Sequence, residues 1–292
     1  MSAEIIERRH VRHPVRRTLM YVLVIGTSLL MIAPLYWMFA TSFKPTADIF
    51  ASPPKWIPNP WTLSNYRDIL QRSSELTFDR YFVNSVIVTV AIVSLNALFD
   101  TMAAYAFAKL RFPGRDVIFF LLLITLMIPF QVNLIPLYRL MVFFRNLNPH
   151  LGIDSYAALI MPSMVQVFGI FLMRQFFQSI PDEVLESARV DGASEFRIIR
   201  SVVLPLALPG MATLAIFTFL AAWNDFLWPL LVTSTDAHRT LPVGVALTAR
   251  RNTTNWGDTM AGTALASFPM IIVFLVLQRR FIEGLTAGAV KG

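Results

Sequence analysis

The chain of 292 residues contains no cysteine. No disulfide framework, thiol nucleophile or cysteine-based metal site can be built from it. Histidine is scarce: His10, His13, His150 and His238 are the four, and no two have the spacing that places a ligand pair on one helix face. Charge is scarce too, at 15% of residues against about 25% in soluble domains. A GxxxxGK[ST] phosphate loop, a GxSxG nucleophile elbow and a GxGxxG dinucleotide fingerprint are all missing. These absences leave no catalytic residues, no metal ligands and no bound cofactor to assign, and no means of hydrolysing ATP on this chain.

What is present is apolar. The fraction is 55%, with a mean hydropathy of +0.58. The apolar residues come in runs of about 20, the length needed to cross about 30 Å of hydrocarbon at 1.5 Å per residue. Six such spans stand out, at residues 18–42, 84–108, 117–138, 156–177, 206–231 and 260–281. They predict an all-α membrane protein with one six-helix bundle over residues 18–282, preceded by a basic N-terminus (1–17) and followed by a tail (283–292). The third span, with Pro129, Pro136, Gln131 and Asn133, is expected to break near its outer end. The net charge of +7 sits beside the spans, where it encodes topology rather than nucleic-acid binding. Lys and Arg favour segments that would lie inside if the N-terminus does, above all Arg8, Arg9, Arg12, Arg16 and Arg17. Both termini are therefore expected in the cytoplasm, with the chain multi-pass in a membrane and in contact with lipid. A cleaved signal is not expected, because the first apolar stretch is too long and no small-x-small site follows. Residues 44–83, rich in Pro and Trp, read as an irregular external loop with interfacial aromatics.

Between the fourth and fifth spans lies a charged segment, 180–205, containing Glu186, Arg189, Asp191, Glu195, Arg197 and Arg200. Asp182 and Glu183 suit the start of a helix, and Asp191-Gly192 signals a turn. A second helical run is expected to carry Phe196, Ile199 and Val203 on one stripe, with Pro205 and Pro209 stopping it and opening the next span. As residues alone, this is either a surface on which a soluble partner docks or a solvated loop in which Glu186 pairs with Arg189.

Glu186-Ser187-Ala188, Gly192 and Val202-x-Leu204-Pro205 match in spacing the signature E-A-A-x3-G-x9-I-x-L-P, with Ser187 in place of Ala and Val202 in place of Ile. The chain thus resembles the permease subunits of ABC importers. The run from Trp223 to Leu230 and the tail from Gly284 to Gly292 resemble the carbohydrate-uptake subfamily typified by the smaller maltose permease subunit. The resemblance implies a type I importer bundle whose segment 180–205 is a coupling helix seated on an ATPase, with Glu186, Ser187, Ala188, Asp191, Gly192, Ala193, Leu204 and Pro205 as its working residues. It implies a second, similar permease chain forming a heterodimer, two ATPase subunits holding ATP and Mg, and an extracytoplasmic solute-binding protein. It also implies that the tail enters the ATPase interface. The implied function is half of a translocation pathway for a sugar or related solute.

Within the spans, Trp223, Asn224, Asp225 and Trp228 combine rings with polar groups as sugar sites do, but tryptophan near a helix end is equally an interfacial belt. Gln131, Asn133 and Gln166 are further pathway candidates, or glue between helices. Asn96 and Asp100, four apart on one helix face, are either cavity lining or a structural hydrogen-bonded pair. Two other classes stay open: a secondary transporter using Asp100 and Asp225 for H⁺ or Na⁺ coupling, and a non-transporting scaffold or receptor subunit docked through the same loop.

Overall fold

The computed structural model describes residues 14–71, 78–251 and 255–287; the arginines at 8, 9 and 12 and the last five residues of the tail lie outside them. All regular structure among the described residues is helical. In chain order the helices are α1 (Pro14–Ser42), α2 (Thr46–Ile49), α3 (Ser64–Gln71), α4 (Phe78–Lys109), α5 (Arg115–Thr125), α6 (Phe130–Leu147) and α7 (Tyr156–Ile160). There follow α8 (Val167–Gln178), α9 (Asp182–Val190), α10 (Glu195–Ile198), α11 (Leu204–Trp223), α12 (Leu227–Val232), α13 (Leu241–Arg251) and α14 (Trp256–Ala287).

Four helices are individually long and apolar enough to cross a membrane: α1, α4, the run Glu195–Trp223 and α14. Two bent pairs complete the six spans. α5 and α6 meet at 97°, and α7 with its 3₁₀ extension meets α8 at 44°. The third span is broken, as expected, but at residues 126–129, near its middle rather than towards its outer end, because Pro129 cannot extend the preceding helix. The external loop is more ordered than its composition predicts, since it contains α2 and α3. Asn65 on α3 donates to the carbonyls of Ser42 and Lys44 at 2.8 and 2.9 Å, which ties the loop to the end of α1.

α4 is the hub, packed by α8 and α11; α11 packs on α14, and α14 on α1. α1 lies at the margin with Leu29, Leu30 and Met31 exposed, as a lipid-facing helix requires. Two of the expected local structures differ. Pro205 does not stop the second helical run: α10, a π-helical segment Ile199–Val203 and α11 form one uninterrupted helix. The wider π turn accommodates the ring and the missing N–H of Pro205. The π segment also changes the buried stripe. Ile198 and Val203, five apart, are fully buried, whereas Phe196 is 73% exposed. The pair Asn96–Asp100 is also not a pair: each side chain bonds to the backbone at the α7–α8 break instead, as described below.

Candidate functional site

The segment between α8 and α11 forms an elbow of two short helices. α9 ends in a left-handed turn at Gly192, φ +78°, with the N–H of Ala193 bonded to the Ala188 carbonyl and that of Gly192 to the Arg189 carbonyl, both at 3.0 Å. This is a Schellman closure, and its left-handed position favours glycine. No neighbouring atom crowds Gly192, so the backbone angle and not lack of space demands the residue. Ser194 caps α10 by accepting from the Arg197 N–H.

One face of the elbow is rooted in the bundle. Leu185 and Ile198 are buried among Phe177, Val203 and Tyr105, with Ala188 and Ala193 half-buried against them. Polar contacts hold the root. Lys109, at the end of α4, donates to Asp182 at 2.5 Å and to the Ile180 carbonyl at 2.6 Å. Lys109 holds the Asp182 carboxyl below the usual aspartate range. Glu195 accepts from Arg189 at 2.7 Å and from the Tyr105 hydroxyl at 2.8 Å, tying both elbow helices to α4. Arg189 thus pairs with Glu195, and Glu186 stands exposed beside a hollow of about 420 Å³ bordered by Lys109, Arg111 and Leu185. The opposite face is open: Val190 is 87% and Phe196 73% exposed, with Ser187 and Asp191 beside them. Leu204 and Pro205 lie where the π segment passes into α11.

The second feature is a cleft of about 470 Å³ between α4, α8 and α11, with Phe130 at the start of α6 as one wall. Asn96 donates to the Ser163 carbonyl at 2.7 Å, and Asp100 accepts from the Gln166 N–H at 2.9 Å. Together they hold the break before α8 and satisfy backbone groups that a broken helix leaves unpaired. Gly169 makes room for this arrangement, because a Cβ there would sit 2.1 Å from Asp100 Oδ2. Asp225 borders the cleft and accepts from the backbone N–H of Trp228 and Phe226, at the start of α12.

The pathway candidates are therefore divided. Asp225 and Gln166 border the cleft. Trp223 and Trp228 are buried, their ring N–H groups engaged by the carbonyls of Ala266 at 3.1 Å and Ala158 at 2.9 Å. Asn224 is exposed and donates to the Leu220 carbonyl of its own helix. Gln131 and Asn133 are exposed on α6, outside the residues that border the cleft. Sequence reasoning missed Lys109 and Tyr105 as the root of the elbow. Lys109 was visible only as one more basic residue at a span edge, and Tyr105 carries no local signal.

Comparison with known proteins agrees with this architecture. Residues 101–286 match the model of the family described as binding-protein-dependent transport system inner membrane component. The arabinooligosaccharides transport system permease protein AraQ of Halalkalibacterium halodurans is 36% identical, over 94% of this chain and 97% of that one. The diacetylchitobiose uptake system permease protein DasC of Streptomyces coelicolor is 36% identical over 93% and 94%. The sn-glycerol-3-phosphate transport system permease protein UgpE of Yersinia pestis is 35% identical over 90% and 93%. Among solved structures, a chain of a bacterial ABC transporter involved in import of the acidic polysaccharide alginate superposes with a TM-score of 0.79 and 25% identity, covering 92% of this chain and 97% of that one. An all-helical bundle of six apolar spans, an elbow closed by Gly192 and relatives matched over nearly their whole length agree: the chain belongs to the family of binding-protein-dependent transport system inner membrane components.

Proposed function

We propose that the chain is one of two permease subunits of a prokaryotic importer for a carbohydrate or a related polyol or phosphoester, with the elbow docked on an ATPase. The observation that carries this reading is mechanical. The second arm of the elbow and the fifth span are one helix from Glu195 to Trp223. Force applied at the exposed Val190, Phe196 and Glu186 would move α11 as a rod, and α11 forms a wall of the cleft. A bistable bundle driven at one end is the physical form of alternating access.

In this reading Glu186, Ser187, Ala188, Asp191, Gly192 and Ala193 make the docking tip, and Leu204 and Pro205 the junction that transmits its movement. ATP and Mg are held by two partner ATPases, and a solute-binding protein delivers the solute at the far end of the bundle. The second permease, a different but similar chain, covers the cleft. Both termini face the cytoplasm, the side on which the elbow then lies. The named solutes of the relatives, arabinooligosaccharides, diacetylchitobiose and sn-glycerol-3-phosphate, support a cargo of this kind.

The test is affinity purification of the intact complex from its own membranes. Wild-type chain is expected to bring down an ATPase, and Glu186→Lys or Gly192→Pro to lose it while the second permease stays bound. Full retention of the ATPase and of ATP-dependent uptake by both variants would remove the elbow from the mechanism.

A further inference from the structure

The cleft between α4, α8 and α11 has a chemical character that transport in general does not explain. Its rings are Phe130, Phe168 and Phe217, the last two edge-to-face with centroids 5.5 Å apart. Its polar floor contains Asn96, which is fully buried; the Nδ2 group is engaged by Ser163, while Oδ1 has no hydrogen-bond partner. Asp225 borders it too, and among the described residues no lysine or arginine does. A carboxylate and an unpaired carbonyl oxygen are poor neighbours for lipid tails, so this face suits water or a solute. Both are hydrogen-bond acceptors, and they suit a ligand rich in hydroxyl donors. Phenyl faces suit the C–H surfaces of a sugar ring. An anion entering here would meet Asp225 with no cation beside it to compensate.

We infer that this cleft is a contact subsite for a neutral oligosaccharide or polyol, and that Asp225 disfavours anionic solutes such as phosphoesters and uronates. The inference rests on the proposed carbohydrate transport and narrows its cargo to uncharged members. Asp225 is the selecting group, Asn96 Oδ1 the buried acceptor and the three phenylalanines the apolar wall.

The chain lacks cysteine, so Ala221→Cys, on the cleft wall, introduces its sole thiol into the full complex. In proteoliposomes with ATPase and binding protein, labelling of that thiol by a neutral maleimide is expected to slow at least threefold while a neutral oligosaccharide is imported. Unchanged labelling during measured uptake would overturn the subsite. The charge is tested separately by comparing cationic and anionic methanethiosulfonates on Ala221→Cys with and without Asp225→Asn. Asparagine can still accept from the α12 N–H groups, so the change removes charge while keeping that cap. The cation-to-anion rate ratio is expected to fall at least threefold, and an unchanged ratio would overturn the role of Asp225. Absence of ATP-dependent uptake of any carbohydrate would instead defeat the transport reading itself, whatever the thiol reports.

Discussion

Where α4 begins, the bundle is cross-tied by polar groups, Tyr81, Asn84 and Ser85 among them buried. Asn84 donates to the carbonyls of Ala237 and Arg239 at 3.0 and 2.9 Å and accepts from the Tyr156 hydroxyl at 2.6 Å. Tyr81 donates to Asp236, Ser85 Oγ accepts from the Leu241 N–H, and Asp154 accepts from the N–H groups of Ser234 and Thr235. Where α4 ends, the elbow rests on a few apolar side chains and on the contacts of Lys109 and Tyr105, while Val190 and Phe196 stand exposed. Through the buried Tyr81, Asn84 and Ser85 the first end joins segments more than 150 residues apart, where a lost partner is costly. The second is rooted by the buried Leu185 and Ile198 and by Lys109, but its Arg189–Glu195 pair is half-exposed and contributes little. A lever needs this asymmetry: one end rigid enough to hold the helices together, the other open to a partner.

The comparison breaks most sharply if the rigid end is cut. Asn84→Ala leaves two carbonyls and a hydroxyl without their partner, and is expected to cost about 3 kcal/mol. Thermal unfolding of the complex in detergent measures it, and a midpoint within error of wild type would show that this end is not the stable one. At the elbow, Gly192→Ala forces a side chain into the left-handed region at about 1–2 kcal/mol. The expected consequence is local: uptake falls severalfold while the midpoint barely moves, read by transport and calorimetry on one preparation.

A smaller effect, about 1 kcal/mol, is expected from Tyr105→Phe, which removes one of the two groups holding Glu195. Faster hydrogen exchange at Gly192 and Ala193, with α4 protection intact, would report it; equal exchange would show that Arg189 suffices alone. The smallest effect concerns pH. Burial raises the Asp154 carboxyl, but bonds from Thr235 and Ser234 and the nearby His238 outweigh it, leaving the carboxyl below its ordinary value of 3.8. A depressed carboxyl stabilises the fold fully above that ordinary value and loses the contribution as pH falls through the lowered one. The rigid end is therefore expected to loosen only in strong acid, and Asp154→Asn to flatten that dependence in unfolding curves below about pH 4.

How much was legible follows from range. The six spans, the break before Phe130, the helix starting at Asp182 and the turn at Gly192 depend on residues within a few positions of one another. Trp223 and Trp228 illustrate the converse. Spacing shows aromatic rings beside polar groups, but whether those rings meet a solute depends on carbonyls 43 and 70 residues away. Phe196 falls off the buried stripe because Ile199–Val203 winds with π geometry rather than the 3.6-residue period that its spacing implies.

The amino-acid order by itself marked out the apolar stretches that become the candidate membrane spans, the absence of a nucleotide-binding motif, and a charged segment with a glycine turn before the fifth span. Those properties come from hydrophobic length, missing chemistry and local backbone preference, all of which act along the chain. Only the tertiary structure decided that the elbow and the fifth span are one helix, that Asn96 and Asp100 secure a distant break, and that Asp225 rather than either tryptophan faces the cleft. Each of those outcomes is a choice of partner for a polar group or a ring, and such choices are made across space, where sequence separation carries no force.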